Sequence, residues 1–360
     1  MKTGLDLNAL AAEITRQQNA KRDFVVNTRD MNFVTTGTES QLVLGDHAPR
    51  PINDIAHRQI AEHADIPQKY YDRMRREAPV LLADNVREWF TKYPAPRLVR
   101  TLDNKARAFL SDRFRALENA DLAEAALPAI LDAKAVIMSC EITERRLYIK
   151  VVDGRIKQDI PTGRKIGDGS HVFFDTVSPA MIIANSEVGL GALAIDYGVF
   201  NSVCTNLATI SKEGMRRTHV GGKLEAGADF EARLSNETKA AKDKALWLEV
   251  RDTVKLAFDE ARFQAMCQKL GGLAQHKIDG DPVQVIEVTG NRFGFTGTEK
   301  ASVLQHLIQG GDLTAYGLLN AVTRTAQDSD TYDRATEMEY VGGRLIELPA
   351  GEWRELAKAA

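Results

Sequence analysis

The chain has 360 residues, 44% hydrophobic and 27% charged, and its 47 Lys and Arg against 50 Asp and Glu give a net charge of −3. These values exclude collagen-like and coil-like chains and a uniformly basic, histone-like binder, while leaving room for a local basic face. At roughly 150 residues per domain, the length predicts two domains or one large domain with extensions.

In chain order, residues 1–40 read as a leading arm with small β-type patches at Phe24-Val25-Val26 and Phe33-Val34. Residues 55–93 read as helical, with Ile55, Ile60, Ile66, Tyr70 and Met74 at helical spacing and a break at Asp65-Ile66-Pro67. Two short packed helices are the expectation there, and a DNA-reading helix-turn-helix is the sharper alternative. Leu98–Leu102 and Ala106–Leu110 flank Asp103-Asn104-Lys105 as a hairpin. A helix over Asp121–Ala133 and a second hairpin, Val136–Ser139 with Arg146–Val152, follow.

Gly163, Gly167 and Gly169 mark a basic loop, and His171–Phe174, Ala180–Ala184 and Ala192–Ile195 read as strands. From Val172 to Ser211 the only charged side chains are Asp175, Glu187 and Asp196, so this stretch belongs in the core. Val199–Ile210 is predicted to be the helix that closes it. Residues 223–270 show helical periodicity, ended by Gly271-Gly272, with a β or loop segment at Val283–Val288. Helices are expected at Thr298–Gln309 and Leu313–Val322, a polar stretch to Tyr340, and a small β-like end at Gly343–Leu348.

The fold class is therefore α+β: a central antiparallel sheet with packed helices, a helical N-terminal region and a largely helical C-terminal half. The divisions fall at 1–95 (arm and helical region), 96–223 (α+β core) and 224–360 (mainly helical).

Cys140, Cys204 and Cys267 lie far apart with no CxxC pair, which argues for a reducing cytoplasm and against a disulfide scaffold. Asp6 and Glu13 interrupt any N-terminal apolar segment. The run Tyr197–Ser211 is too short and too polar to span a membrane.

The sequence holds no GxxxxGK[ST], no helix-opening GxGxxG, no GxSxG and no HExxH. The seven histidines are scattered, and His57 and His63 do not share a helix face. Cys204 sits in an apolar stretch where a thiolate is costly. No ordinary enzyme is indicated. Glu187 and Asp196 are carboxylates within the most apolar region, so each is paired, hydrogen-bonded or holding Mg2+.

The cations are more informative. Arg145, Arg146, Lys150, Arg155, Lys157, Arg164 and Lys165 stand against four acids over residues 141–165, leaving +3. Arg107, Arg113 and Arg115 lie near Phe109 and Phe114, and Arg107 and Phe109 share a strand face. Lys212, Arg216, Arg217, His219 and Lys223 form a third cluster. Arginines with aromatic rings on a sheet can hold single-stranded nucleic acid, cations on phosphates and rings on bases; a solvated, salt-bridged face is the plain alternative.

Several strings resemble the phage/plasmid-like protein family, a domain of unknown function: Ser111–Leu117, Ile183–Gly189, Cys204-Thr205-Asn206, Tyr316–Thr323 and Ser329–Glu339 with Gly342-Gly343. The resemblance covers nearly the whole chain and implies carriage by phages and conjugative plasmids, whose genes tend to manage incoming single strands. The hairpin–helix–hairpin order is also similar to the core of phage single-strand annealing proteins, an analogy of topology.

Together these readings lead to an expectation of a cytoplasmic single-stranded DNA-binding and annealing protein, a homo-oligomer without nucleotide hydrolysis. Two alternatives stay open. One is a host-interaction or regulatory protein using its C-terminal helices; the other is a metal-dependent nuclease resting on Glu187 and Asp196.

Overall fold

The computed structural model describes residues 1–37, 39–166, 171–219 and 235–357. It opens with α1 (Leu7–Ala20), whose N-terminus is capped by Asp6 accepting from the Ala9 N–H. Strands β1 (Arg22–Asn27), β2 (Met31–Thr36), β3 (Glu39–Leu44) and β4 (Arg50–Pro51) follow. Then come α2 (Asp54–His63), α3 (Gln68–Glu77) and α4 (Pro79–Lys92), and the hairpin β5 (Pro96–Leu102) and β6 (Lys105–Ser111). Strands β2-β3-β4 form one small antiparallel sheet and β1-β5-β6 another. With α2–α4 they enclose a core of its own that includes Phe33, Ile60, Tyr71, Leu82 and Phe90.

The centre is a six-stranded antiparallel sheet built from β7 (Val136–Ile142), β8 (Leu147–Val152), β9 (Gln158–Ile166), β10 (His171–Asn185), β11 (Leu193–Asn201) and β12 (Asn206–Arg217). Its order is β12-β11-β10-β8-β7, with β9 paired to the leading half of β10. Helix α5 (Asn119–Asp132) precedes it. After it come α6 (Asn236–Leu256), α7 (Glu260–Leu273), α8 (Pro282–Phe293), α9 (Gly297–Gly310), α10 (Ala315–Asp328), α11 (Tyr332–Ile346) and α12 (Ala350–Ala357).

Both faces of the central sheet are covered by helices. Leu147, Ile149, Met181, Ile183 and Ile195 face a core shared with α1, α5 and α6. Tyr148, Ile182 and Phe200 face the other way, toward Tyr332 of α11. The apolar faces of α7–α12 complete a further core with Val177, Val199, Ala208 and Ile210 of the sheet. The α11 backbone lies so close to β12 that a Cβ on Gly343 would come within 1.8 Å of the Thr209 carbonyl oxygen.

The α+β class and both hairpins stand as read. Several local expectations do not. Val199–Ile210 is not a helix but the end of β11, a turn and the start of β12, in register from Asn201↔Asn206 to Tyr197↔Ile210. A short apolar run has the same composition in a buried strand as in a buried helix, so periodicity could not separate them. Here Thr205 takes a left-handed conformation (φ 53°) that turns the chain.

Val283–Val288 lies in α8, started by the Asp281 cap and Pro282 in its first turn. The polar stretch to Tyr340 runs through the end of α10 and into α11, which is capped by Thr331, and the β-like end Gly343–Leu348 is the last turn of α11 and the residues just after it. The leading arm contains α1, and the helix expected to run unbroken to Gly271-Gly272 closes there, at Leu273, but is interrupted at Ala257–Asp259 into α6 and α7. Gly167, Gly169 and residues 223–234 lie outside the described residues.

Candidate nucleic-acid interface

Sheet register decides which of the cations meet. β8 begins at Leu147 opposite Asn185, the last residue of β10, and β11 begins at Leu193 opposite Arg217, the last residue of β12. The β7–β8 turn, the Ser186–Ala192 turn and the end of β12 therefore share one end of the sheet. The loop from β6 to α5 joins them: Phe114 approaches Gly189 and stacks on His219, ring centroids 4.9 Å apart at 8°. The Arg115 N–H donates to the His219 carbonyl at 2.6 Å.

Arg113, Arg115, Arg145, Arg146, Arg216 and Arg217 are thus brought to one end from three separate stretches of chain. Arg146 donates to the Leu190 carbonyl at 2.6 Å, and the Ser186 hydroxyl donates to the Arg145 carbonyl at 2.8 Å. Arg115 pairs with Asp243, and Arg217 with Glu249 at 2.5 Å. Arg216, half exposed, pairs with buried Asp196 at 3.1 Å. Arg113 and Arg145 are exposed and have no side-chain partner among the described residues.

The remaining predicted cations are elsewhere. Arg107 and Phe109 are buried, Arg107 against Glu187 at 2.6 Å and Phe109 in the N-terminal core against Phe90. Lys150 is 0% exposed and pairs with equally buried Glu339 of α11 at 2.7 Å, its Nζ 4.3 Å above the Tyr332 ring. All three are buried, Lys150 under α11, Phe109 inside the N-terminal core and Arg107 against the Glu187 side chain. Arg155 turns back onto Asp153 at 2.6 Å, and Lys157 is exposed, both near the opposite end of the sheet.

Arg164 lies on Asp175 at 2.9 Å, 4.0 Å from the Phe173 ring centre. It lines a cleft of about 380 Å³ with Cys204, Asn206, His306, Asn320 and Arg324. Lys165 is in β9 opposite Val172, and Lys212 is in β12; their side chains, and Lys223 entirely, lie outside the described residues.

Glu187 and Asp196 belong to separate networks. Glu187 accepts from Arg107 and, at 2.8 Å, from the Asn119 N–H. Burial alone would raise it, but Arg107, the Glu118 carboxyl beside it and the Asn119 N–H together hold it down to about 2. Burial pushes Glu118 up, against the pull of Arg100, and the neighbouring Glu187 adds to that rise.

Asp196 accepts from Tyr340 at 2.6 Å and from Arg216 at 3.1 Å, and burial raises it above the ordinary carboxylate value. Among the described residues no group of three or more His, Cys, Asp or Glu gathers as a metal ion would need. Burial pushes the Cys140 thiol up to about 11 and Cys267 up to about 12, and raises half-buried Cys204 as well.

Sequence reasoning did not single out Arg100, a guanidinium with 0% exposure. It is held by Glu118 at 2.6 Å, Asp23 at 3.1 Å and the Glu187 carbonyl at 3.0 Å. Its only sequence signal is a charge inside an apolar strand, Leu98-Val99-Arg100. No helix among the described residues is long and apolar enough to cross a membrane. Compared with family models, curated proteins and solved structures, the chain matches none.

Proposed function

We propose that the chain binds single-stranded DNA through the arginine-lined end of the central sheet and anneals complementary strands there as a homo-oligomer. The observation that carries this reading is the convergence of Arg113, Arg115, Arg145, Arg146, Arg216 and Arg217 around the Ser186–Ala192 turn. Arg113 and Arg145 are exposed and have no carboxylate partner among the described residues. Exposed ion pairs contribute only about 0–1 kcal/mol. Arg115 and Arg217, paired with half-exposed Asp243 and Glu249, can therefore exchange carboxylate for phosphate at small cost.

The interface lies on turns and strand ends, not on the sheet's faces, because helices occupy both. Annealing needs no nucleotide hydrolysis, which agrees with a sequence lacking a phosphate-binding Walker loop. The resemblance to a family carried by phages and plasmids supports the same reading.

The test is fluorescence anisotropy of a labelled oligonucleotide across a salt series, with annealing of its complement followed in the same cuvette. Replacing Arg113 and Arg145 together with Ala is expected to weaken binding. The log–log salt slope should flatten by about 1.4, two phosphate contacts on a single strand at about 0.7 each. An unchanged slope, or no binding at low salt, overturns the proposal.

A further inference from the structure

We propose that α2 and α3 are a helix-turn-helix unit that reads double-stranded DNA, with α3 entering the major groove. This inference is independent of the arginine-lined end. The two helices are joined by only Ala64-Asp65-Ile66-Pro67, the three- to four-residue connection such a unit needs. Asp65 adopts the left-handed conformation (φ 52°), the backbone state for which glycine is the usual choice in this turn. The Ile66 N–H reaches back to the Ala61 carbonyl at 2.9 Å and fixes the bend.

Residues on the inner side of the bend are all buried: Ile60 at 0%, Ala61 at 1%, Ala64 at 7%, Ile66 at 8%, Tyr71 at 0% and Met74 at 3%. The small Ala61 and Ala64 let the second helix approach the first. The His57 ring nitrogen and the Tyr71 hydroxyl, 2.8 Å apart, tie the helices together inside that core. Helix α4 and strands β2 and β3 pack behind the pair, so α3 is held rigidly at the surface.

The outward side of α3 has the chemistry that base edges and phosphates require. At 3.6 residues per turn, Gln68, Asp72, Arg76, Lys69 and Arg73 fall within an arc of about 140°, opposite Tyr71 and Met74. The side chains of Arg73 and Arg76 are each 68% exposed, and Lys69 is exposed. Gln68, half-buried, donates to Asp72 at 2.8 Å, which orients its amide at the leading turn of the helix.

In docked helix-turn-helix units, residues of that leading turn contact base edges while the first helix crosses the phosphate backbone. Gln pairs bidentately with adenine, and Lys or Arg with guanine. Gln68, Lys69 and Arg73 hold the base-reading positions, and Arg76, with Arg58 exposed on α2, is placed for phosphate. A groove between the helices, lined by Arg58, Gln68, Asp72 and Arg76 among others, runs along this surface. On the outward arc of α3 three cations, Lys69, Arg73 and Arg76, stand against Asp72, while Glu77 at the helix end pairs with Arg73 at 2.9 Å. Exposed pairs of this kind contribute only about 0–1 kcal/mol, so the arginines can exchange carboxylate for a duplex phosphate.

The experiment is selection of bound duplexes from a randomised double-stranded library with the full-length protein, followed by binding curves on the enriched sequence. The wild-type chain is expected to enrich a short motif. Gln68→Ala should lower affinity for that motif on the order of tenfold and relax preference at one position. Arg76→Ala should weaken all duplexes evenly and reduce the salt slope by about 1.

All substituted side chains lie on the outward face of α3, so an unchanged melting temperature confirms that the variants are folded. Replacing Arg113 and Arg145 should leave the enriched motif unaltered, which separates this proposal from the single-strand reading. No enrichment, or a motif and affinity unchanged in a Gln68→Ala/Lys69→Ala/Arg73→Ala variant, overturns it.

Discussion

Lys150 and Glu339 are the sharpest place to test whether the C-terminal helices belong to the central sheet. Both side chains are 0% exposed, 2.7 Å apart, one on β8 and the other on α11. Burial already pushes the Lys150 ammonium below its ordinary 10.5, with Glu339 opposing that shift.

In Glu339→Gln the opposing charge is gone, and the cheapest response is to deprotonate the lysine. From 10.5 to pH 7 that costs about 5 kcal/mol at 1.36 kcal/mol per unit, an upper bound that relaxation or water penetration lowers. A loss of about 3–5 kcal/mol is therefore expected, as for other buried pairs broken on one side. A folded domain holds about 5–15 kcal/mol in total, so the variant is left marginal.

Urea unfolding reads this directly. With a slope of about 3 kcal/mol per M, the midpoint should fall by about 1 M or more at pH 7. The deficit should shrink toward pH 10, where the lysine neutralises at less cost. The double variant Lys150→Met/Glu339→Leu should recover most of the stability, because a well-packed apolar pair removes both desolvation penalties. A single variant losing under 1 kcal/mol, or a double variant losing the sum of the singles, would refute the buried-pair reasoning.

Two further outcomes follow from the packing and the buried histidines. Gly343→Ala should cost about 1–3 kcal/mol, since its Cβ would meet the Thr209 carbonyl at 1.8 Å; Gly351→Ala, with nothing within 4 Å, is the neutral control in the same melts. Burial, assisted by Arg75, lowers His57 from 6.5 to about 3, so below pH 6.5 the unfolded chain takes up a proton that the folded one refuses. Stability should then fall with acidification between about 6.5 and 3 by up to 1.4 kcal/mol per pH unit, a slope that His57→Leu removes; equal acid sensitivity of the two proteins in urea titrations would show that His57 is not the source.

The elements that could be read from the sequence were those with a signal local to themselves. Asp103-Asn104, both in left-handed conformation, announce the β5–β6 hairpin, and Asn119–Asp132 shows helical periodicity over its whole length. The misread elements depended on distant neighbours. Val199–Ile210 is apolar because helices lie on both sides of the sheet, and burial on both faces erases the alternation that marks a strand. Helix α11 reads only as polar, yet Glu339 along it is buried because its partner, Lys150, comes from a sheet formed far earlier in the chain.

The same covering explains which cations the sequence could place. A charge count along residues 141–165 gives Arg145 and Lys150 equal weight, yet only Arg145, in a turn, reaches solvent. Lys150 is five residues on, inside a strand that has helices on either face. For a sheet sandwiched in this way, a residue's distance from the strand end, rather than its charge, decides whether it can meet a polyanion. Arg107 and Arg113 make the point within one segment: Arg107, mid-strand, is held by Glu187, and Arg113, two residues past the end of β6, is exposed. Strand boundaries depend on pairing partners, so the arginine-lined end could be located only once the register was known. On α3 the start is marked in the sequence by Pro67, but spacing set Tyr70 beside Met74 on the apolar face, whereas Tyr70 is 49% exposed and Tyr71, against His57, is the buried ring. Which of two adjacent tyrosines turns inward depends on the partner helix, so the outward face too needed the structure.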